Sequence, residues 1–165
     1  YRINQFLYAS QSKIEKMRDS KIGSYGVLAI LLITLIKWNA IITLATGKPY
    51  EIAILSIICA HSLSRFSIIV IPYFSIPASD KGLARYAGKP ETRGVIGGFL
   101  FTSLLIFLLL PFDQAILSAV LAILVAGVVG LLANFQIKGY TGDILGAAQQ
   151  VSEATVLVYL ASSSS

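Results

Sequence analysis

The chain has 165 residues, which is enough for one domain. Hydrophobic residues make up 56% of it and charged residues 13%, whereas soluble domains have about 45–50% and about 25%, so an ordinary soluble domain is excluded. The net charge of +5 comes from Lys and Arg in short connections between apolar runs, a distribution that argues against nucleic-acid binding and is typical of membrane proteins.

Five apolar segments follow in chain order, at residues 27–46, 52–73, 95–110, 115–135 and 144–161. A helix needs about 20 mostly apolar residues to cross a bilayer. Backbone groups must be satisfied internally in lipid, and the two-residue alternation of a membrane barrel is absent from these segments. The sequence therefore predicts an all-α, polytopic transmembrane helix bundle with about five spanning helices. One integral membrane domain would cover residues 1–161, and the serine-rich residues 162–165 would form a tail.

The basic residues alternate along the chain between connections. Five of them precede the first segment, namely Arg2, Lys13, Lys16, Arg18 and Lys21. The connection between the second and third segments holds Lys81, Arg85, Lys89 and Arg93, and the one before the fifth holds Lys138. Because Lys and Arg favour the cytoplasmic side, these three connections are predicted to face the cytoplasm, in a multi-pass protein of the cell membrane.

The first two apolar segments contain three basic residues, and ionisable residues in such segments are rare and usually functional. Arg65 can bind two oxygens of a phosphate or carboxylate, or it can extend its side chain to the membrane surface. His61 lies one turn earlier on the same helix face and is either a packing residue or a ligand. Lys37 either pairs with an acid in the bundle or marks a re-entrant geometry.

The fifth segment begins with the polar stretch GYTGDILGAAQQVSEA. Thr141 is predicted to cap the helix, with Asp143 in its first turn and Gln150 two turns later on the same face. Asp143 and Glu153 offer the carboxylate oxygens that Mg²⁺ prefers. Interaction with the helix dipole would explain Asp143 but does not explain Glu153.

A second charged stretch, MRDSKIG, precedes the first segment. Arg18 and Lys21 would suit phosphate, Asp19 would suit a metal ion, and Gly23 allows close approach of a ligand. The same run is also compatible with a solvated surface.

The stretches KMRDSKIGSYGVLAI and GYTGDILGAAQQVSE together resemble the two motif blocks of the cobalamin synthase family, whose members are adenosylcobinamide-GDP ribazoletransferases. AHSLSRF and YFSIPASDKGLARYAG, which lie between them, resemble further family segments. The chain departs from the pattern at Lys138-Gly139-Tyr140, where a Gly-Gly pair is usual. The family's aspartate-rich segment and further helices are expected upstream of residue 1.

The resemblance implies that alpha-ribazole, or its 5′-phosphate, attacks adenosylcobinamide-GDP at the phosphate that carries cobinamide, with release of GMP. The catalytic residues would be Asp143, Arg65 and Arg18, and Mg²⁺ would be held by Asp143, Asp19 and Glu153. The substrate-binding residues would be Lys21, Gly23, Thr141, Gly142, Gln149, Gln150, Lys81 and Arg85.

Other classes of protein stay open on the sequence. A CDP-alcohol-type membrane phosphotransferase shares the logic of magnesium and a nucleotide leaving group, but it should show its own aspartate-glycine motif. A secondary transporter should show matching halves and polar groups at mid-depth, whereas the polar groups here are predicted to cluster on one side. A purely structural subunit would leave Arg65, Asp143 and Glu153 without a role. Small residues on the fourth segment, Gly127, Gly130 and Ala133, are compatible with packing inside one chain or in a homo-oligomer.

Overall fold

A computed structural model describes residues 23–78 and 88–163, which form five α-helices. In chain order these are α1 (Ser24–Gly47), α2 (Tyr50–Phe74), α3 (Thr92–Leu109), α4 (Phe112–Ile137) and α5 (Gly142–Ser162). Each is long and apolar enough to cross a membrane. The predicted all-α transmembrane bundle is therefore confirmed.

The ends of the helices follow from local sequence. Pro49 and Pro111 directly precede α2 and α4. Proline suits this place because its φ is already helical and its missing N–H has no partner there in any case. Thr141 precedes α5, and its hydroxyl oxygen accepts a hydrogen bond from the backbone N–H of Ile144 at 3.4 Å. The predicted cap is confirmed.

Helix α5 is the centre of the bundle, because it packs against α1, α2 and α4, while α3 lies mainly on α2. It is also the least apolar of the five by mean hydropathy. A central position of the least apolar helix is expected, because lipid is as apolar as a protein core. The polar residues are therefore the ones that must be covered by protein. Large side chains such as Leu35, Phe101 and Leu131 point outward instead.

The best-packed part of the bundle lies near the C-terminal end of α5. Leu44 of α1, Cys59 of α2 and Leu157 of α5 are fully buried there in one apolar cluster. Lys48, in the α1–α2 connection, donates to Ser163 Oγ at 3.3 Å and joins the two ends. This half of the bundle is closed.

The opposite end is held together by an exchange of backbone hydrogen bonds beside α5. Ala78 N donates to Tyr140 O at 2.9 Å, and Tyr140 N donates to Ile76 O at 3.0 Å. A Cβ added to Gly139 would lie only 2.3 Å from Ile76 O, so glycine is required there by the chain's own backbone. Lys138 has a left-handed backbone with φ 56°, a conformation that glycine adopts more easily.

The small residues of α4 contact their own chain only in part. Gly130 and Ala133 are buried, and a Cβ added to Gly130 would meet Ile71 of α2 at 3.7 Å. Gly127 is exposed and has nothing within 4 Å of such an atom.

Candidate functional site

One face of α5 changes from covered to open along its length. Gly142, Asp143, Gly146 and Gln150 are exposed, whereas Glu153, farther along the same face, is 2% exposed. The reason is the direction of α1: its buried residues are Ala40 and Leu44, so only its C-terminal half is packed. We name this opening the polar groove. Its floor is the exposed α5 face, and its sides are the helix surfaces that carry Lys37 on α1 and His61 and Arg65 on α2.

An ion pair between Lys37 Nζ and Glu153 Oε1 forms the closed end of the polar groove. Lys37 Nζ also donates to Gln150 Oε1 at 3.0 Å, and His61 Nε2 lies 3.6 Å from Glu153 Oε1. The three contacts join α1, α2 and α5. Of the two alternatives for Lys37, pairing with an acid is the one that the structure shows.

The depth of this cluster matters for its energetics. Glu153 lies eleven positions after Gly142, which is about 16 Å along the helix and places it within the apolar span. An unpaired carboxylate there is energetically unfavourable. The ion pair therefore lowers the free energy of having Lys37 and Glu153 inside the bundle. The cluster therefore lies near the middle of its three helices, at a distance from the polar start of α5.

His61 is partly oriented by its own helix. Its Nδ1 lies 3.0 Å from the carbonyl oxygen of Ile57, so Nδ1 must carry the proton of that hydrogen bond. Its Nε2 is the atom that faces Glu153. The ring is 45% exposed at its side chain, so it also borders the open groove.

Arg65 is exposed and makes no hydrogen bond or ion pair with any residue in the described part of the chain. It follows His61 by four residues, so it lies on the same face of α2. The C-terminal end of α2 and the N-terminal end of α5 meet at the Ile76–Tyr140 contact. Arg65 is therefore one turn nearer than His61 to the end of the groove that carries Asp143.

Asp143 is exposed in the first turn of α5, and within residues 23–78 and 88–163 it has no ion-pair partner. Gly142 and Gly146 flank it, and an atom added to either would meet nothing within 4 Å. The surface beside the carboxylate is thus open, as an approaching ligand would need.

The two carboxylates of α5 do not form one metal site. Asp143 and Glu153 are ten positions apart, about 15 Å along the helix, so they cannot bind a single ion. Glu153 is also occupied by Lys37. Across the described ranges, no group of three or more His, Cys, Asp or Glu side chains comes together. Asp143 alone still fits Mg²⁺, which uses one or two carboxylates together with phosphate oxygens and waters.

Some of the remaining predicted site residues are described by the structure and others are not. Gly23 is exposed just before α1, Thr141 caps α5, and Gln149 is half-buried. Arg18, Asp19, Lys21, Lys81 and Arg85 lie outside the described residues. Their predicted roles stay predictions, as do the metal and catalytic roles of the residues above. Sequence reasoning left Lys37 and His61 unassigned; the signal that could have paired them with Glu153 was their similar depth in their segments.

An apolar cavity lies elsewhere, between α2, α3 and α4, lined by residues such as Phe66, Phe99 and Ala122. Its walls lack the charged groups that a phosphorylated ligand requires. We therefore locate the candidate site in the polar groove.

Comparison with known proteins assigns the chain to a family. The family described as cobalamin-5-phosphate synthase (CobS) matches residues 6–161. The chain belongs to this family. The CobS match covers both motif blocks, including the start of α5 that forms the groove floor.

Curated relatives of the chain are named adenosylcobinamide-GDP ribazoletransferase. The relative from Bradyrhizobium diazoefficiens is 35% identical over 151 residues, covering 92% of this chain and 57% of the relative. The one from Shewanella pealeana is 37% identical over 153 residues, covering 91% and 58%. The one from Mesorhizobium japonicum is 36% identical over 146 residues, covering 88% and 55%. The chain thus spans somewhat more than half the length of these CobS relatives. No solved structure matches it.

Proposed function

We propose that the chain is part of an adenosylcobinamide-GDP ribazoletransferase. The observation that carries the proposal is the polar groove, because it exposes Asp143 and Arg65, both without described partners, in a chain of the CobS family. The curated relatives bear the name of this enzyme. The guanidinium of Arg65 on one side of the groove and the carboxylate of Asp143 on its floor suit a pyrophosphate substrate.

The proposed reaction is a displacement at phosphorus. The hydroxyl oxygen of alpha-ribazole, or of its 5′-phosphate, forms a bond to the phosphorus that carries cobinamide. The bond from that phosphorus to the bridging oxygen breaks, GMP leaves with the electron pair, and the hydroxyl proton is released. The product is adenosylcobalamin or its 5′-phosphate.

The residues of the groove would divide this work between them. The guanidinium of Arg65 would bind pyrophosphate oxygens through two parallel hydrogen bonds. Asp143 would hold Mg²⁺, which when bound neutralises charge on the phosphate oxygens. Gly142 and Gly146 would let the ligand reach the helix start, because no atom of the described residues lies within 4 Å of a Cβ placed on either.

The membrane setting supports a large amphipathic substrate. The described bundle is multi-pass, and its polar groove opens at the end that carries Lys89, Arg93 and Lys138. We propose that this end faces the cytoplasm of the cell membrane, as the distribution of Lys and Arg predicts. Cobinamide could then rest against apolar helix surface while its phosphates stay near water.

One observation favours secondary transport as a second candidate. The Lys37–Glu153 pair lies at mid-depth, where transporters place their binding groups. Glu153 is buried, and the packed half of the bundle closes one side of the pair, which supports a fixed structural contact better than a translocation path.

The deciding experiment uses the full-length protein in lipid nanodiscs with adenosylcobinamide-GDP, alpha-ribazole 5′-phosphate and Mg²⁺, and detects GMP and the cobalamin phosphate by mass spectrometry. Asp143→Asn is expected to abolish most product. Asp113→Asn is the matched control, because Asp113 is also exposed in a first helical turn but lies at the opposite end of the bundle. If the folded parent protein forms no product, the proposed function is refuted and secondary transport becomes the favoured hypothesis.

A further inference from the structure

Gln150 has two chemically different ends, and the structure orients them. Lys37 Nζ lies 3.0 Å from Gln150 Oε1. A lysine ammonium has three donors and no acceptor, so it can face only the oxygen of the carboxamide. The amide nitrogen of Gln150 is therefore turned away from Lys37, and it makes no hydrogen bond to the part of the chain that the structure describes.

Lys37 is in turn held in place by a buried group. Glu153 is 2% exposed, and its Oε1 is ion-paired with Lys37 Nζ. If Lys37 moved away, this carboxylate would remain unpaired in the apolar interior, which is strongly unfavourable. The carboxamide of Gln150 is thus kept from flipping by a cation that is itself fixed.

Among the described residues, no side-chain acceptor is hydrogen-bonded to the amide nitrogen of Gln150. Oxygen Oε1 of Glu153 is occupied by Lys37. The side of Gln150 that is exposed to the groove therefore presents N–H groups.

We propose that Lys37 is a positioning residue that orients Gln150 as a hydrogen-bond donor, so that the floor of the polar groove selects an acceptor oxygen on the ligand. This inference rests on the proposed function and adds a specificity to it. Such an oxygen can belong to a phosphate of adenosylcobinamide-GDP or to an amide carbonyl on the corrinoid ring. Donors meet acceptor atoms here, whereas a ligand group that can only donate would be left unpaired.

The test is Gln150→Glu in the full-length enzyme. Glutamate has the same shape and strengthens the contact with Lys37, but it replaces the donor by an acceptor. The affinity for adenosylcobinamide-GDP, measured by equilibrium dialysis of the coloured corrinoid, is expected to fall about ten- to a hundredfold. The melting temperature is expected to stay level or rise. Gln136→Glu is the matched control, because Gln136 is exposed on α4.

Binding of adenosylcobinamide without phosphate is measured as well, because it shows which oxygen is bound. If affinity for adenosylcobinamide without phosphate also falls in Gln150→Glu, the oxygen is a carbonyl of the corrinoid. If only GDP-bearing ligands are affected, it belongs to a phosphate. Equal affinity of Gln150→Glu and parent for all of them would overturn the inference, and so would a loss of affinity matched by a loss of melting temperature.

The positioning role of Lys37 is tested by the double variant Lys37→Met/Glu153→Leu, which removes both charges together. The affinity for adenosylcobinamide-GDP is expected to fall several-fold while the melting temperature stays near the parent value, because Gln150 can then flip. A parent-like affinity in this folded variant would refute the positioning role. If the parent itself neither retains adenosylcobinamide-GDP nor releases GMP, the proposed function fails, and this inference fails with it.

Discussion

Lys37 of the first described helix, which is partly exposed, forms an ion pair near the middle of the bundle with the buried Glu153 of the last. The pair explains how a carboxylate can be 2% exposed inside an apolar protein. The pair also forms the closed end of the polar groove, since the face of α5 is exposed before Glu153 and covered after it.

Removing one partner of this pair should cost more stability than removing both. Lys37→Met leaves the buried carboxylate of Glu153 without a counter-charge and is expected to destabilise the bundle by about 3–5 kcal/mol, whereas Lys37→Met/Glu153→Leu should lie close to the parent. Melting temperatures in detergent measure the difference. Glu51→Gln, at an exposed position in the first turn of α2, serves as the control. A double variant as unstable as the single one would contradict the ion-pair account.

Gly139→Ala tests the close approach of two backbones. The added Cβ would lie 2.3 Å from Ile76 O, so the contact between Ile76 and Tyr140 must open. We expect a loss of about 1–3 kcal/mol in the free energy of unfolding, as for other overpacked sites. Gly127→Ala, where nothing lies within 4 Å, should instead be neutral or slightly stabilising. Equal melting temperatures of the two variants would show that the approach at Gly139 is looser than described.

Arg65→Lys tests whether Arg65 binds the pyrophosphate through its planar fork. Lysine keeps the charge but cannot form two parallel hydrogen bonds, so kcat/KM for adenosylcobinamide-GDP should fall about tenfold or more. The melting temperature should not change, because Arg65 has no partner among the described side chains. Arg93→Lys, at an exposed position in α3, is the control for a general effect of surface charge. Unaltered kinetics in Arg65→Lys would leave Arg65 without a role in binding.

Lys138→Gly tests whether the backbone conformation at this position costs stability. Lys138 has a φ of 56°, a left-handed conformation that costs a residue with a Cβ about 1 kcal/mol or more. The change is therefore expected to raise the melting temperature slightly. Lys138→Ala keeps the strained backbone and lacks only the charge, so it should not raise it. A stabilised alanine variant would show that charge, and not backbone conformation, is what matters at this position.

Local patterns were enough to predict most of the architecture. The five helices follow from apolar length, and their starts follow from Pro49, Pro111 and Thr141. These features depend on residues that are neighbours in the chain, and the side-chain cap of Thr141 spans only three positions. For the same reason the motif at the start of α5 could be recognised before its surroundings were known.

The candidate site was predicted less completely because its contacts are long-range. Asp143 and Gln150 were assigned to one helix face, which helix periodicity alone decides. The partner of Glu153 could not be assigned, since Lys37 is 116 positions away and only packing of α1 on α5 brings the two together. Proposing Mg²⁺ between Asp143 and Glu153 overlooked the 1.5 Å rise per residue that separates them.

The sequence by itself determined that the chain is a bundle of membrane helices and that it carries the family's motifs, because hydrophobic length and local order are properties of consecutive residues. Tertiary structure alone decided which charge meets which, where Gly139 admits a second backbone, and why one half of α5 stays open. These depend on the directions in which α1 and α2 leave α5. Side chains far apart in the chain set those directions when they pack.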